Sequence, residues 1–222
     1  MLPWKILGRS KAASGGELVL SERGGEYSLR INGWELMSSR KHGSEDAMAE
    51  VGLRNLKNPA DARVLVAGLG LGYSLRAALD RLPPTAKVIV AEMVPAIIEW
   101  NRGVLGPLAG NPLDDPRVEL FSGDVREVMR KHPAGFDAIL LDTDNNETAF
   151  TDLSPTALYS PAGLRDARKA LRGQGTLVIW SAGPDVKFEK RMRDCGFKAE
   201  SIVAPAQSNG KGARHVLFAG TT

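Results

Sequence analysis

The stretch Arg63 to Leu79, RVLVAGLGLGYSLRAAL, constrains the fold more than any other part of the chain. Val64-Leu65-Val66-Ala67 is a continuous apolar run, the pattern of a parallel strand covered on both faces, and Ser74 to Leu82 has the composition of a helix. Gly68, Gly70 and Gly72 stand between them. Glycine there lets the backbone turn sharply and lets a ligand approach the main chain, while the amides opening the next helix supply donors. The spacing is G-x-G-x-G, and Tyr73 occupies the sixth position where a dinucleotide fingerprint needs glycine. A nucleoside-type ligand such as S-adenosylmethionine is therefore favoured over NAD, against the plain alternative of a Gly-rich turn.

The rest of the composition narrows the class. With 222 residues, 43% of them hydrophobic, the chain can bury one full α/β core with a small appendage. Cys195 is the only cysteine, which excludes intrachain disulfides and clustered-thiol metal sites. His42, His132 and His215 stand in no ligand-spaced motif, so no metal is expected. The opening MLPWKILGRS has too short an apolar run for a secretory signal, and no run of about 18 apolar residues exists to span a membrane. A soluble cytoplasmic protein is the expectation. The net charge of +3 hides a basic excess on two predicted helices, one with Arg165, Arg168, Lys169 and Arg172, the other with Lys187, Lys190, Arg191 and Arg193. No basic run interleaves with aromatics, so these read as solvated faces and nucleic acid is not expected as a partner.

In chain order, ELVLSE, EYSLRI and WELMSS across residues 17–38 read as strands broken at Gly24-Gly25 and Asn32-Gly33, a small antiparallel unit ahead of the core. The division expected is a β-hairpin unit over 1–43 and a nucleoside-binding domain over 44–222. Ser44 is placed to cap a helix running to about Leu56, with Glu45 and Asp46 in its first turn. Lys87 to Ala91 is a second apolar run closed by Glu92, about 20 residues beyond Gly72, where a carboxylate can accept from both ribose hydroxyls. Pro95 opens a helix. Val118 to Phe121 is a third strand, and Asp124 after it either accepts the adenine amino group or caps the following helix. Phe136 to Leu141 is a fourth strand ending in Asp142-Thr143-Asp144-Asn145, two carboxylates where open α/β sheets bind ligands. Burial and like-charge proximity would make one of them a usable base. Then come a helix from Pro161 to Leu171 stopped at Gly173, a strand from Thr176 to Trp180, a helix from Val186 to Cys195 stopped at Gly196, and closing strands Lys198–Val203 and His215–Ala219 as an edge hairpin. Trp180 is open between core packing and lining a pocket, whereas Cys195 and His215 read as structural.

Four blocks, VLVAGLGLGYSLR, EMVPAIIEWNR, LDDPRVELFSGD and FDAILLDTDN, resemble in order and spacing the signature blocks of the spermidine synthase family of polyamine aminopropyltransferases, over roughly residues 17–180. The resemblance implies an α/β, Rossmann-like fold of the class I methyltransferase type, a mostly parallel seven-stranded sheet behind a small N-terminal antiparallel unit. It also implies that Gly68, Gly70 and Gly72 line the nucleoside site, that Glu92, with Met93 beside it, holds the ribose, that Asp124 holds the adenine, and that Asp142 stands at the catalytic Asp. Asp144, Glu45, Asp46 and Trp180 fall on the side of the acceptor.

The departures from the pattern lie on that side. Leu71 stands where the family's loop has Asp, Glu45-Asp46 where a Tyr-His pair is usual, and Asp142-Thr143-Asp144-Asn145 is one residue shorter than the usual block. The Gln expected after the fifth strand is missing, with Trp180-Ser181 in its region. The function implied is transfer of an aminopropyl group from decarboxylated S-adenosylmethionine to a small-molecule amine, with no metal and with a homodimer as the assembly kept in view. The alternatives are a methyltransferase using intact S-adenosylmethionine, favoured by loss of a carboxylate at Leu71, and a nucleoside-binding protein without catalysis.

Overall fold

The computed structural model describes residues 2–12, 15–143, 157–207 and 209–222. Four strands, β1 (Lys5–Lys11), β2 (Glu17–Arg23), β3 (Glu26–Ile31) and β4 (Trp34–Ser38), pair antiparallel in sequence order as a small sheet. The turn between β3 and β4 has Asn32 at φ 49 and Gly33 at φ 85, the paired left-handed residues of a two-residue hairpin. The first strand is absent from the sequence reading. Its segment KILGRSK alternates poorly, since four of its seven residues are exposed and none is fully buried.

Seven further strands form the main sheet. They are β5 (Arg63–Ala67), β6 (Lys87–Glu92), β7 (Val118–Ser122), β8 (Phe136–Leu141), β9 (Leu171–Ser181), β10 (Lys198–Pro205) and β11 (Arg214–Thr221), in the order β10-β11-β9-β8-β5-β6-β7. All neighbours are parallel except that β11 runs antiparallel to β9 and β10. The chain is thus an α/β Rossmann-like fold with a small N-terminal antiparallel sheet, as expected. Its connections leave β5 toward β6 on one side and bring β8 in on the other, so the switch point of the sheet falls between β5 and β8. In such sheets the crevice for ligands opens there, beyond the carboxyl ends of the strands.

Helices cover both faces, which is why the strands read as unbroken apolar runs. Val64 and Val66 of β5 point to the layer of α1 (Gly43–Leu53), α2 (Tyr73–Arg81) and α3 (Pro95–Arg102), together with Leu18, Leu20 and Leu29 of the small sheet. Leu65 and Ala67 point to the layer of α4 (Val125–Lys131), α5 (Pro161–Ala170) and α6 (Val186–Asp194). Two boundaries differ from the sequence reading. Ser44 lies inside α1, whose N-cap is His42, and makes no cap bond. Helix α5 ends at Ala170, one residue short of the expected Leu171, and the strand expected from Thr176 starts already at Leu171, which pairs with Phe136: β9 runs through both glycines of Arg172-Gly173-Gln174-Gly175, with Gln174 at φ 67. The register with β8 passes from Leu171 directly to Thr176, so the glycine-containing segment forms an irregularity within β9 rather than a helix stop.

Helix α1 brings its first turn to the carboxyl ends of β8 and β9, and Gly52 on it sits so close to β8 that a Cβ there would run into Leu140. The same helix carries Ser44 and Glu45, so its seat on the sheet fixes their position. Replacing Gly52→Val overpacks this contact and is expected to destabilise the fold by about 1–3 kcal/mol in urea unfolding, with the fold retained. A variant as stable as the native chain would show that α1 is not seated by that glycine.

Candidate functional site

The crevice is built around the Gly loop. Parallel pairing continues past the strand ends, with Gly68 N donating to Ala91 O at 2.9 Å and Asp142 N donating to Ala67 O at 2.8 Å. Gly68, Gly70 and Gly72 all have positive φ, at 86, 49 and 87. A Cβ on Gly68 would collide with the carbonyl of Asp142, and one on Gly70 with Met37 Sδ of β4. Both positions combine the left-handed backbone with a close approach, so only glycine fits. Asn101 of α3, 2% exposed, clamps the loop from behind by donating from Nδ2 to Gly70 O and to Ile97 O, each at 2.9 Å.

On the side of β6, Glu92 is 6% exposed and accepts from Leu69 N at 2.9 Å and Val94 N at 2.8 Å, one bond to each oxygen. It therefore ties the Gly loop to the turn before α3. A carboxylate has about four acceptor positions, so two remain for other donors. Met93 beside it is 54% exposed. Asp124 is the N-cap of α4, accepting from Arg126 N at 2.9 Å, and its other oxygen accepts from Arg126 Nε at 2.8 Å. Burial opposes its ionisation, but the bonds and charge of Arg126 prevail and hold the carboxyl below its ordinary value. Of the two readings open for Asp124, capping is the one its contacts display.

On the other side the structure gathers Asp142, Glu45, Ser44, Ser74, Trp180 and His215. Asp142 follows β8 and is half-buried, and its carboxyl accepts from Ser74 Oγ of α2. Burial pushes its pKa up to about 6 against the opposing hydrogen bond. Glu45 is 6% exposed. Burial, and then the negative charge of Asp142, push it up to about 8, partly offset by a hydrogen bond with Ser44 Oγ at 2.6 Å. Trp180 Nε1 donates to Ser44 Oγ at 3.1 Å, and His215 Nδ1 lies 3.0 Å from the same oxygen. The indole and imidazole meet edge to face at 4.7 Å. His215 is held below its ordinary pKa by burial and by the charge of Lys41. Asp46 lies further out, 3.2 Å from His42 Nδ1, and His42 stacks on Tyr73 at 4.3 Å.

Sequence reasoning singled out Asp142, Glu45 and Trp180, and it missed Ser44 as a hub, Ser74, and His215, which it took as structural. Only the pairing of β9 with β11 and the seat of α1 bring Ser44, Trp180 and His215 together. Asp144 lies outside the described residues. Leu71 is fully buried in the core with Leu75, Leu79 and Leu105. Its side chain serves packing, so the donor-selecting role read from its sequence position is corrected: Leu71→Asp would place a charge in the core. Among the described residues no group of three His, Cys, Asp or Glu is arranged to hold a metal, and no helix is long and apolar enough to cross a membrane.

A family model described as the spermine/spermidine synthase domain matches residues 41–193, which contain the whole Gly loop, Glu92, Asp124 and Asp142. A polyamine aminopropyltransferase of Thermoanaerobacter sp. (strain X514) is 34% identical over 139 residues, covering 63% of this chain and 47% of that protein. The match to its counterpart in Korarchaeum cryptofilum covers 39% of that relative, so the chain spans less than half the length of these curated relatives. The solved spermidine synthase of Thermotoga maritima matches with a TM-score of 0.78 at 19% identity, covering 98% of this chain and 72% of that one. A spermidine synthase solved in complex with the transition state analogue AdoDATO matches with a TM-score of 0.76 at 18% identity, with the same coverage.

The raised pKa of Glu45 has a consequence for stability. Its folded value lies above its ordinary value of 4.5, so the folded state holds its proton more tightly, and stability falls as pH rises from that value through about 8. At about 1.4 kcal/mol per unit, the upper limit of the effect is a few kcal/mol. Glu45→Gln is therefore expected to raise Tm at alkaline pH and to leave it nearly unchanged at acid pH, by thermal unfolding across the range. An equal effect at both ends would contradict a buried, proton-holding Glu45.

Proposed function

The chain belongs to the spermine/spermidine synthase family, and from that premise we propose that it transfers the aminopropyl group of decarboxylated S-adenosylmethionine to a small-molecule amine. The observation that carries this reading is the place of Asp142, directly after β8 and against Gly68 of the Gly loop, with its carboxyl held by Ser74 Oγ. In the reaction the amine nitrogen attacks the carbon next to the sulfonium in line, the C–S bond breaks with its electron pair going to sulfur, and a neutral thioether leaves. Charge is relocated rather than created, so the protein's main tasks are to orient the two reactants and to keep the attacking amine unprotonated.

Each residue takes a task that its contacts support. Glu92 offers its two remaining acceptor positions to the ribose hydroxyls, with the glycines admitting the donor to the main chain and Met93 covering it. Asp124 holds the amino edge of the adenine with whatever acceptor capacity Arg126 leaves. An acceptor amine has a pKa near that of lysine, about 10. Asp142, ionised above about pH 6, takes its proton. Glu45 retains its own proton up to about pH 8, so the pair presents roughly one negative charge to one ammonium. Asp46, Asp144 and Trp180 complete the acceptor side.

Asp142→Asn keeps the shape and removes the base. It is expected to lower kcat by about 10²-fold or more while calorimetry finds donor binding largely intact. Near-native turnover in that variant would overturn the assignment.

A further inference from the structure

Resting on the transfer reading above, we propose that the hydrogen-bonded chain Glu45–Ser44–His215 is the route by which the proton taken from the acceptor amine leaves the carboxylates for solvent. The geometry is specific. Ser44 Oγ lies 2.6 Å from Glu45 Oε2, 3.0 Å from His215 Nδ1 and 3.1 Å from Trp180 Nε1. A serine hydroxyl donates once and accepts twice, and an indole N–H only donates. Trp180 thus fills one acceptor position permanently and leaves one of each kind to be shared between Glu45 and His215. Two arrangements satisfy every atom. With Glu45 ionised, Ser44 donates to Glu45 and His215 donates from Nδ1 to Ser44. With Glu45 protonated, Glu45 donates to Ser44 and Ser44 donates to Nδ1 of a His215 that carries its proton on Nε2.

Passing from the protonated to the ionised arrangement moves a proton across the chain with no heavy atom displaced far. The Glu45 O–H bond breaks as a new O–H bond forms on Ser44, whose former proton bonds to His215 Nδ1. The resulting imidazolium, on a half-buried ring, releases its Nε2 proton to solvent. Protons and charges balance, and one proton leaves the protein for each amine deprotonated. Asp142 lies near enough for its charge to act on Glu45, and the proton it takes from the amine replaces the one that Glu45 passes on. The other charged or titratable groups around the route are Asp46 on α1, Tyr73 on α2, whose pKa is raised by burial and by Glu45 and Asp46, His42, and Lys41. Burial and Lys41 both disfavour a lasting imidazolium, so the ring passes the proton on rather than storing it. Ser44 and His215 are positioning residues, since both act through Glu45.

The test reads the ring directly. The chain has three histidines, so nitrogen NMR of labelled protein resolves each. His215 is expected to switch from the Nε2–H to the Nδ1–H tautomer as pH rises through about 8, where Glu45 ionises, and to stop switching in Glu45→Gln. In turnover, His215→Ala is expected to lose about 10-fold in kcat and to regain most of it with added imidazole, with KM for the donor unchanged. A single tautomer throughout in an active native protein, or a defect that imidazole does not relieve, overturns the relay alone. An inactive native protein with an intact tautomer switch overturns the transfer reading, and with it the purpose assigned to the relay.

Discussion

Two neighbouring carboxyl groups at the carboxyl end of a parallel sheet, Glu45 buried and Asp142 half-buried, set the terms for everything around them. A buried carboxylate is costly unless it is hydrogen-bonded, paired or protonated. Asp142 meets this with Ser74, and Glu45 with Ser44 and with a proton it keeps to about pH 8. The negative charge of Asp142 is one of the causes that hold the proton on Glu45. The same enclosure that makes ionisation expensive makes either group a competent proton acceptor near neutral pH.

The glycines make that enclosure compatible with a ligand cleft. Gly68 lets the loop after β5 pass against the main chain of Asp142, and Gly70 lets β4 of the small sheet lie against the loop through Met37. Tyr73 Oη reaches Ser39 O at 3.3 Å, and a Cβ on Gly8 of β1 would meet Trp100 of α3 at 2.7 Å. The small sheet is therefore a wall of the cleft, sharing its apolar packing with α1, α2 and α3.

How much of this was legible follows from the range of the interactions. The runs Val64–Ala67, Lys87–Glu92 and Phe136–Leu141 betray buried parallel strands because both faces are covered, and the residues at their ends, Glu92 and Asp142, fall at the crevice by topology alone. The hairpin at Asn32-Gly33 is written in two adjacent residues. Strand β1 and the start of β9 were hidden because pairing, not local propensity, makes them extended. The hub at Ser44 was hidden for a stronger reason: its partners Trp180 and His215 lie 136 and 171 residues away in the chain. Leu71 shows the opposite failure, in which a position aligned with a family's polar residue turns out to be sealed in the core.

Product analysis tests the central claim most directly. Incubating the native protein with decarboxylated and intact S-adenosylmethionine, each with a pool of amines, and separating the products by mass spectrometry distinguishes the two sulfonium chemistries. The account predicts methylthioadenosine together with an amine enlarged by one aminopropyl unit, formed only from the decarboxylated donor. S-adenosylhomocysteine with a methylated acceptor, or an untouched decarboxylated donor, would contradict it.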